Sequence, residues 1–506
     1  MNPAVELRNV TKRFGNCVAN AGINLTIQRG TIHGIVGENG AGKSTAMKLL
    51  YGLYQPDSGE IILNGKECRW SSASDAIAAG IGMVHQHFML AGPHSALDNI
   101  ILGAEPGRFG FIDRNSARRR LDALATQYGL RVHWEQPVEE MPVGLRQRIE
   151  ILKLLYRNAE ILILDEPTGV LTPQETNNLF ANLRKLRDEG KTILLVTHKL
   201  REIMAFTDRV TVFRAGKVVG ELETAKTNPQ ELADMMVGRR VSLGMSVTVS
   251  KKSAEIGIRV DRLSLKTAGE QRNRLSDVSF QVGCGEIVGT AGVEGNGQSE
   301  LIQALLHPRD RACRTAGEIS ILRRDVTEWS ARQIRDLGVA IIPEDRLHEG
   351  LLPARPLFEN FLLGQQYEPA FRNRQFLNLD GLKQAAGKAF SEYDVRPNDL
   401  ELPAAALSGG NQQKLIVARE FHKRPKILIA AQPTRGVDVG AIEFIHKRIV
   451  QARDEGVAVL LISSELEEIL ALSDRILVMY EGRIVAEFER GRVSETELGL
   501  KMAGVA

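Results

Sequence analysis

Residues 37–44, GENGAGKS, have the spacing G-x4-G-K-[ST] and directly follow the apolar run "TIHGIV". Glycines at these places let backbone N–H groups wrap phosphate oxygens, and the helix that follows turns its positive end toward them. The segment Gly37, Asn39, Gly40, Gly42, Lys43, Ser44, Thr45 is therefore read as a nucleoside triphosphate cradle. In it Lys43 reaches the β- and γ-phosphates and Ser44 ligates Mg²⁺. A second apolar run, "ILILD", ends on Asp165, a carboxylate suited to hold the metal, and brings Glu166 next to it to polarise an attacking water. Gln86 can touch both metal and water, and His198, which ends "TILLVTH", can hold the γ-phosphate. Phosphoryl transfer needs such a set because its catalysis is mainly positioning and charge stabilisation. Phe14, in "VTKRFGN", offers an aromatic face for adenine. Taken singly, a histidine at a strand end is usually a hydrogen-bonded structural residue and a phenylalanine a packing ring. Their order and context give the functional reading the advantage.

These residues need a scaffold that brings loop and strand ends together. Short Val/Ile/Leu runs alternate with helical patterns, which predicts a parallel sheet covered by helices. "TIHGIVG" reads as a strand running into the loop, and "KSTAMKLLYGL" as the start of the helix after it. The strands "EILILD" and "TILLVTH" then end beside that loop, at the sheet edge where α/β folds bind ligands.

The scaffold is written twice. "IHGIVGENGAGKSTAMKLL" matches "EIVGTAGVEGNGQSELIQALL", "MPVGLRQRIEILKLL" matches "LSGGNQQKLIVAREF", and "TILLVTHKLREI" matches "AVLLISSELEEI", in the same order. The offset grows from 255 residues between Lys43 and Gln298 to 266 between His198 and Ser464, so insertions separate the motifs. We expect a first domain over 1–240, a polar linker over 241–256 and a second domain over 257–506. The second copy has lost its charges: Gln298 stands for the lysine, Glu344 for Gln86, Ala431 and Gln432 for the acidic pair, and Ser464 for the histidine.

Composition narrows the remaining classes. The balance of 65 basic against 62 acidic residues, net +3, gives no large field for nucleic acid or an anionic bilayer. The basic run Arg114–Arg120 reads as a solvated helix face. Four scattered cysteines, without CxxC spacing, suit a reducing cytoplasm better than a disulfide framework or a zinc site. The start has no apolar core of signal-peptide type, and no apolar run approaches the roughly 20 residues of a spanning helix. Any membrane role is thus expected to come through partners.

With "LSGGNQQK" (Leu407–Lys414), "DEPT" and Thr197-His198 on the page, nearly the whole chain resembles the ATP-binding cassette ATPases. The resemblance implies two tandem α/β P-loop nucleotide-binding domains, each with a helical subdomain, using ATP and Mg²⁺. It also implies a head-to-tail pair in which each ATP lies between the loop of one cassette and the signature of the other. Ser408, Gly409 and Gly410 would then offer a hydroxyl, backbone N–H groups and a helix N-terminus to the γ-phosphate. The intact parts all fall in one composite site. The other combines the depleted second half with "MPVGLRQ", where Pro142 and Val143 replace serine and glycine. It is expected to hold nucleotide poorly or not at all.

The fused, asymmetric pair is most similar to importer ATPases of the ribose/galactose-type group. "MVHQHFML" and "AAQPTRGVDVGA" place it nearest the nucleoside-type branch. Gly169-Val170 departs mildly from that branch, and Pro142 deepens the loss at the depleted site without touching the intact one. The resemblance implies two transmembrane permease subunits, an extracytoplasmic solute-binding lipoprotein acting through them, no nucleic acid, and a peripheral position on the cytoplasmic face of the cell membrane. The helical insertions, about 87–140 and 345–406, would form the grooves that receive permease helices. Only a short tail follows "ILVMYEGRIVAEF", so no ligand-sensing regulatory domain is expected there. A monosaccharide importer is the alternative. A twin-cassette translation factor fits less well, because such factors carry two functional acid-and-signature sets and a long charged linker.

Overall fold

The computed structural model describes residues 3–15, 17–85, 88–108, 111–168, 171, 173–240, 253–267, 273–293, 295–310, 313–502 and 504. The chain divides into two units, Met1–Val241 and Ser242–Ala506. Most of the expected linker, 241–252, lies outside the described residues, and the first strand of the second unit, Ile256–Thr267, starts at the linker's last residue.

Among the described residues the first unit has a six-stranded sheet. Its order is Lys217–Glu223, Arg209–Arg214, Ile32–Gly37, Thr192–Val196, Ile161–Asp165, Ile81–Val84. Only the first pair is antiparallel. Three of its central strands, Ile32–Gly37, Thr192–Val196 and Ile161–Asp165, are buried along their whole length. That is why they read as continuous apolar runs and not as alternating ones. Val196 lies in register with both Asp165 and Ile35, so the three strands end at the same edge.

A four-stranded antiparallel sheet, Cys17–Ile27, Val5–Phe14, Ser58–Leu63, Lys66–Cys68, covers part of the same core. Leu7, Ile23 and Ile61 from it pack in one cluster with Ile35, Ile163 and Met47. The helix Lys43–Leu50 buries Ala46, Met47, Leu49 and Leu50 in this cluster. At roughly 1.5–3 kcal/mol for each large apolar side chain, that face anchors the helix whose first turn carries the loop lysine.

The second unit repeats the plan strand for strand. Its six-stranded sheet runs Arg483–Glu489, Arg475–Tyr480, Ile287–Ala291, Ala458–Ser463, Ile427–Ala431, Val339–Ile342. Each unit also carries a helical part: Ala96–Ile101, Arg114–Tyr128 and Val143–Tyr156 in the first, Leu357–Leu362, Leu379–Glu392 and Gly409–His422 in the second. In Arg114–Tyr128 the arginines at 118–120 are exposed while Ala117 and Leu121 are buried, so the basic run is a solvated face. Among the described residues no helix is long and apolar enough to cross a membrane.

Candidate phosphate-binding and hydrolytic site

The loop leaves the buried strand Ile32–Gly37 and enters the helix at Gly42, whose φ of +97° lies in the left-handed region. A Cβ at Gly42 would lie 2.4 Å from the Ala19 carbonyl oxygen, and one at Gly37 would lie 2.4 Å from that of Phe213. Both glycines are required by close backbone approach. The Asn20 side chain donates to the Gly42 carbonyl at 3.0 Å, and Gly216 N–H donates to the Ala41 carbonyl at 3.1 Å, so two outside elements hold the loop. Lys43 is buried, and its ammonium donates to the Gly37 and Glu38 carbonyls at 2.7 and 3.0 Å. The loop thus curls round its own cation at the helix N-terminus, which is the geometry of an anion cradle. Asn39 and Gly40 lie at the outer turn, and Ser44 and Thr45 open the helix half-buried.

Asp165 ends its strand 4% exposed, with the Ser44 hydroxyl bonded to its carboxylate. Burial pushes this carboxyl above the usual aspartate range. The Ser44 hydrogen bond pulls it down, the neighbouring Glu166 charge pushes it up, and Lys43 and Lys48 pull it down in turn. A desolvated carboxylate beside a hydroxyl is a hard-oxygen donor pair, which suits Mg²⁺. Gln86, the third donor expected there, lies outside the described residues.

Glu166 follows with φ +49°, and its N–H donates to the Val196 carbonyl at 2.8 Å. His198 Nδ1 lies 3.0 Å from Glu166 Oε1. Burial pushes the Glu166 carboxyl up, but the His198 hydrogen bond and charge, with Lys43 and Lys199, outweigh it and hold it below the usual range. The carboxylate is therefore ionised, oriented and close to the loop lysine. Lys43, Ser44, Asp165, Glu166 and His198 form one connected group. Phe14 stands apart at the end of its antiparallel strand, 43% exposed, its ring edge-on to Tyr54 at 5.1 Å between centroids. Tyr54 N–H in turn donates to the Lys48 carbonyl of the loop helix.

In the second unit the same backbone carries neutral chemistry. Gln432 has φ +45°, its N–H donates to the Ile462 carbonyl at 2.7 Å, and its Oε1 accepts from the Ser464 hydroxyl at 3.1 Å. Ala431 is wholly buried. Ser299, the match to Ser44, donates to Glu344 at 2.7 Å. Ser408, Gly409 and Gly410 also lie in this unit. Ser408 caps the helix Gly409–His422, accepting from Asn411 N–H, whereas Pro142 precedes Val143–Tyr156 with no side-chain cap.

Asn20 and Glu202 were not singled out from the sequence. Glu202, buried, accepts from the Thr168 hydroxyl at 2.5 Å and the Thr197 hydroxyl at 3.1 Å, tying the strand end of Asp165 to that of His198. Its match Glu468 accepts from Thr434 at 2.9 Å. The repeat alignment could have found this pair, since "HKLREI" and "SELEEI" share the glutamate. Asn20 gives no such signal, being one polar residue in a strand of the other sheet.

The family profile described as ABC transporter matches the chain twice, over residues 21–169 and 275–435. The chain is similar to the guanosine import ATP-binding protein of Bacillus subtilis (strain 168), with 48% identity over 100% of this chain and 98% of the relative. It is also similar to the nucleoside import ATP-binding protein of Lactococcus lactis subsp. cremoris (strain MG1363), with 44% identity over 99% and 98%. A ribose import ATP-binding protein of Rubrobacter xylanophilus is 37% identical over 100% and 99%.

Proposed function

The chain belongs to the ABC transporter family, and from that premise we propose that it hydrolyses ATP at one competent site to drive nucleoside import through membrane permease subunits. The observation that carries the solute class is full-length identity of 48% and 44% to guanosine and nucleoside import proteins, against 37% to a ribose import protein. The single competent site is supported by the contrast between Glu166–His198 and Gln432–Ser464 on matching backbones.

At this site the Gly37–Lys43 loop binds the triphosphate through backbone N–H groups, and Lys43 balances its charge. Ser44 and Asp165, with Gln86, would hold Mg²⁺, which supplies charge neutralisation to the phosphates when bound. Glu166 takes a proton from the attacking water, whose oxygen bonds to the γ-phosphorus as the bond to the bridging oxygen breaks, giving ADP and phosphate. His198 keeps the Glu166 carboxylate aimed. Phe14 presents its face to adenine. In the second unit Ser408, Gly409 and Gly410 offer a hydroxyl, backbone N–H groups and a helix N-terminus suited to a γ-phosphate. We assign the domains as 1–240 and 257–506 joined by 241–256. The chain works on the cytoplasmic face of the membrane, with a solute-binding lipoprotein acting through the permease.

The test is ATPase activity of the chain reconstituted with its permease subunits and binding protein, across nucleosides and monosaccharides. Stimulation by nucleosides alone is expected, and stimulation by a pentose or hexose alone would replace nucleoside with sugar. Glu166→Gln should bind ATP yet lose on the order of a hundred- to ten-thousand-fold in rate, the range for a general base. Turnover within a few fold of wild type would overturn the site.

A further inference from the structure

Arg346 lies just after Glu344 and reaches three places in the second unit. Its Nη1 donates to the Arg435 carbonyl at 2.6 Å, its Nη2 to the Gly436 carbonyl at 3.3 Å, and its Nε to Gln412 Oε1 at 3.3 Å. Gln412 is in the first turn of the helix that Ser408 caps. The guanidinium also forms the floor under the signature: a Cβ on Gly409 would lie 2.7 Å from Arg346 Nη2 and 3.0 Å from the Gly436 carbonyl oxygen. Gly410 packs as closely on Asp438, where a Cβ would lie 2.6 Å from Oδ2.

The segment that carries Arg346 is itself tied down. Asp345 accepts from the Leu347 and His348 N–H groups at 2.9 and 3.0 Å, and Glu344 accepts from Ser299 on the helix after the second glycine-rich loop. A planar guanidinium with several fixed donors suits such a junction, because each hydrogen bond also fixes direction. Aligning Gln86 with Glu344 places Phe88 opposite Arg346, and Phe88 has no donor. The junction thus goes with the complete signature Ser408–Gly410 and is missing where Pro142-Val143 stands.

We propose that Arg346 is a positioning residue for ATP hydrolysis, holding Ser408–Gly410 and the 435–436 turn in one fixed arrangement as a phosphate-facing helix N-terminus. The inference rests on the reading of Ser408–Gly410 as phosphate-facing proposed above.

The experiment compares Arg346→Ala, Arg346→Lys and Ser408→Arg in the full chain assembled with its permease subunits. It measures kcat, melting temperature, and ATP affinity in a Glu166→Gln background. Arg346→Ala should lower kcat on the order of tenfold or more, since small misplacements of contacting groups carry losses up to about a hundredfold. ATP affinity should stay within about twofold. Arg346→Lys keeps the charge but not the fork, and should fall between Ala and wild type. Wild-type kcat in Arg346→Ala, or parallel losses of kcat, affinity and melting temperature, would overturn the proposal. If Arg346→Ala does not fold, Arg346→Lys decides on the same three quantities. Ser408→Arg separates the readings: wild-type turnover there removes the role of Ser408–Gly410 itself, whereas its loss beside an active Arg346→Ala removes only the role of Arg346.

Discussion

Glu166 and Gln432 hold the same unusual backbone, with φ of +49° and +45°, and both donate their N–H to the end of the neighbouring strand. For residues other than glycine this conformation costs about 1–2 kcal/mol, and the fold supports it in both units. What differs is the side-chain chemistry: an ionised carboxylate against imidazole in one, an amide against a hydroxyl in the other. Asp165 carries a separate cost, because burial shifts its carboxyl up and makes it harder to charge in the folded chain than in the unfolded one. A group raised on folding stabilises below its unfolded pKa, near about 3.9 for aspartate, and that contribution is lost as pH rises through the folded value. At neutral pH the charged Asp165 is therefore a liability until its counter-charge binds. We predict that Asp165→Asn abolishes turnover yet raises the melting temperature at pH 7 without Mg²⁺ and nucleotide, because it removes a buried charge. The gain should shrink as pH falls toward the raised pKa. A calorimetric series from pH 7 to pH 4 checks it, and a lower melting temperature throughout would contradict it.

The strand–loop–helix element is the smallest piece that makes the phosphate cradle. Its glycine-lysine spacing was plain in the sequence because it states a backbone requirement: Gly42 needs both a left-handed φ and room against Ala19. The second copy keeps the backbone half of that requirement. Gly297 has φ +104° and caps its helix as Gly42 does, while the lysine has become a buried Gln298. The element is therefore maintained as structure even where its charge is gone. We predict that Gly42→Ala costs more than the roughly 1 kcal/mol of left-handed strain, since the added Cβ meets a carbonyl 2.4 Å away and the loop must shift. ATP affinity should fall at least about tenfold, which corresponds to 1.4 kcal/mol, and the melting temperature should drop. Nucleotide titration with thermal unfolding reads both, and wild-type affinity would show that the loop tolerates the shift. What the sequence hid at this scale is the clamp on the loop: Asn20, from a strand, and Gly216, from the turn before Lys217–Glu223, are brought near only by folding.

For the whole molecule the question is whether two carboxylates would make the second unit a second engine. We predict that Ala431→Asp with Gln432→Glu, placed in a Glu166→Gln background, stays below about 1% of wild-type turnover, because a base at its ordinary 10²–10⁴-fold contribution still lacks its setting. Gln298 is neutral and Ser464 is short. Ala431 is wholly buried, so a carboxylate there meets desolvation without a lysine to offset it. Steady-state hydrolysis in the triple variant measures this, and robust turnover would refute the one-site reading. At this scale the sequence by itself determined the repeat, the sheet strands, the phosphate loop and the sorting of acidic from neutral residues. These are local matters: strand periodicity, glycine spacing and side-chain charge are written in consecutive residues. Only the tertiary structure decided that Glu166 lies against His198, that Gln432 and Ser464 keep that contact without its charge, and that Glu202 ties Thr168 to Thr197. The Glu166–His198, Gln432–Ser464 and Thr168–Glu202 contacts join residues more than thirty apart along the chain, and the pairing of neighbouring parallel strands brings them together. Parallel strands need a long crossover between them, so the partners at their common edge are remote in sequence and meet only once the sheet has formed.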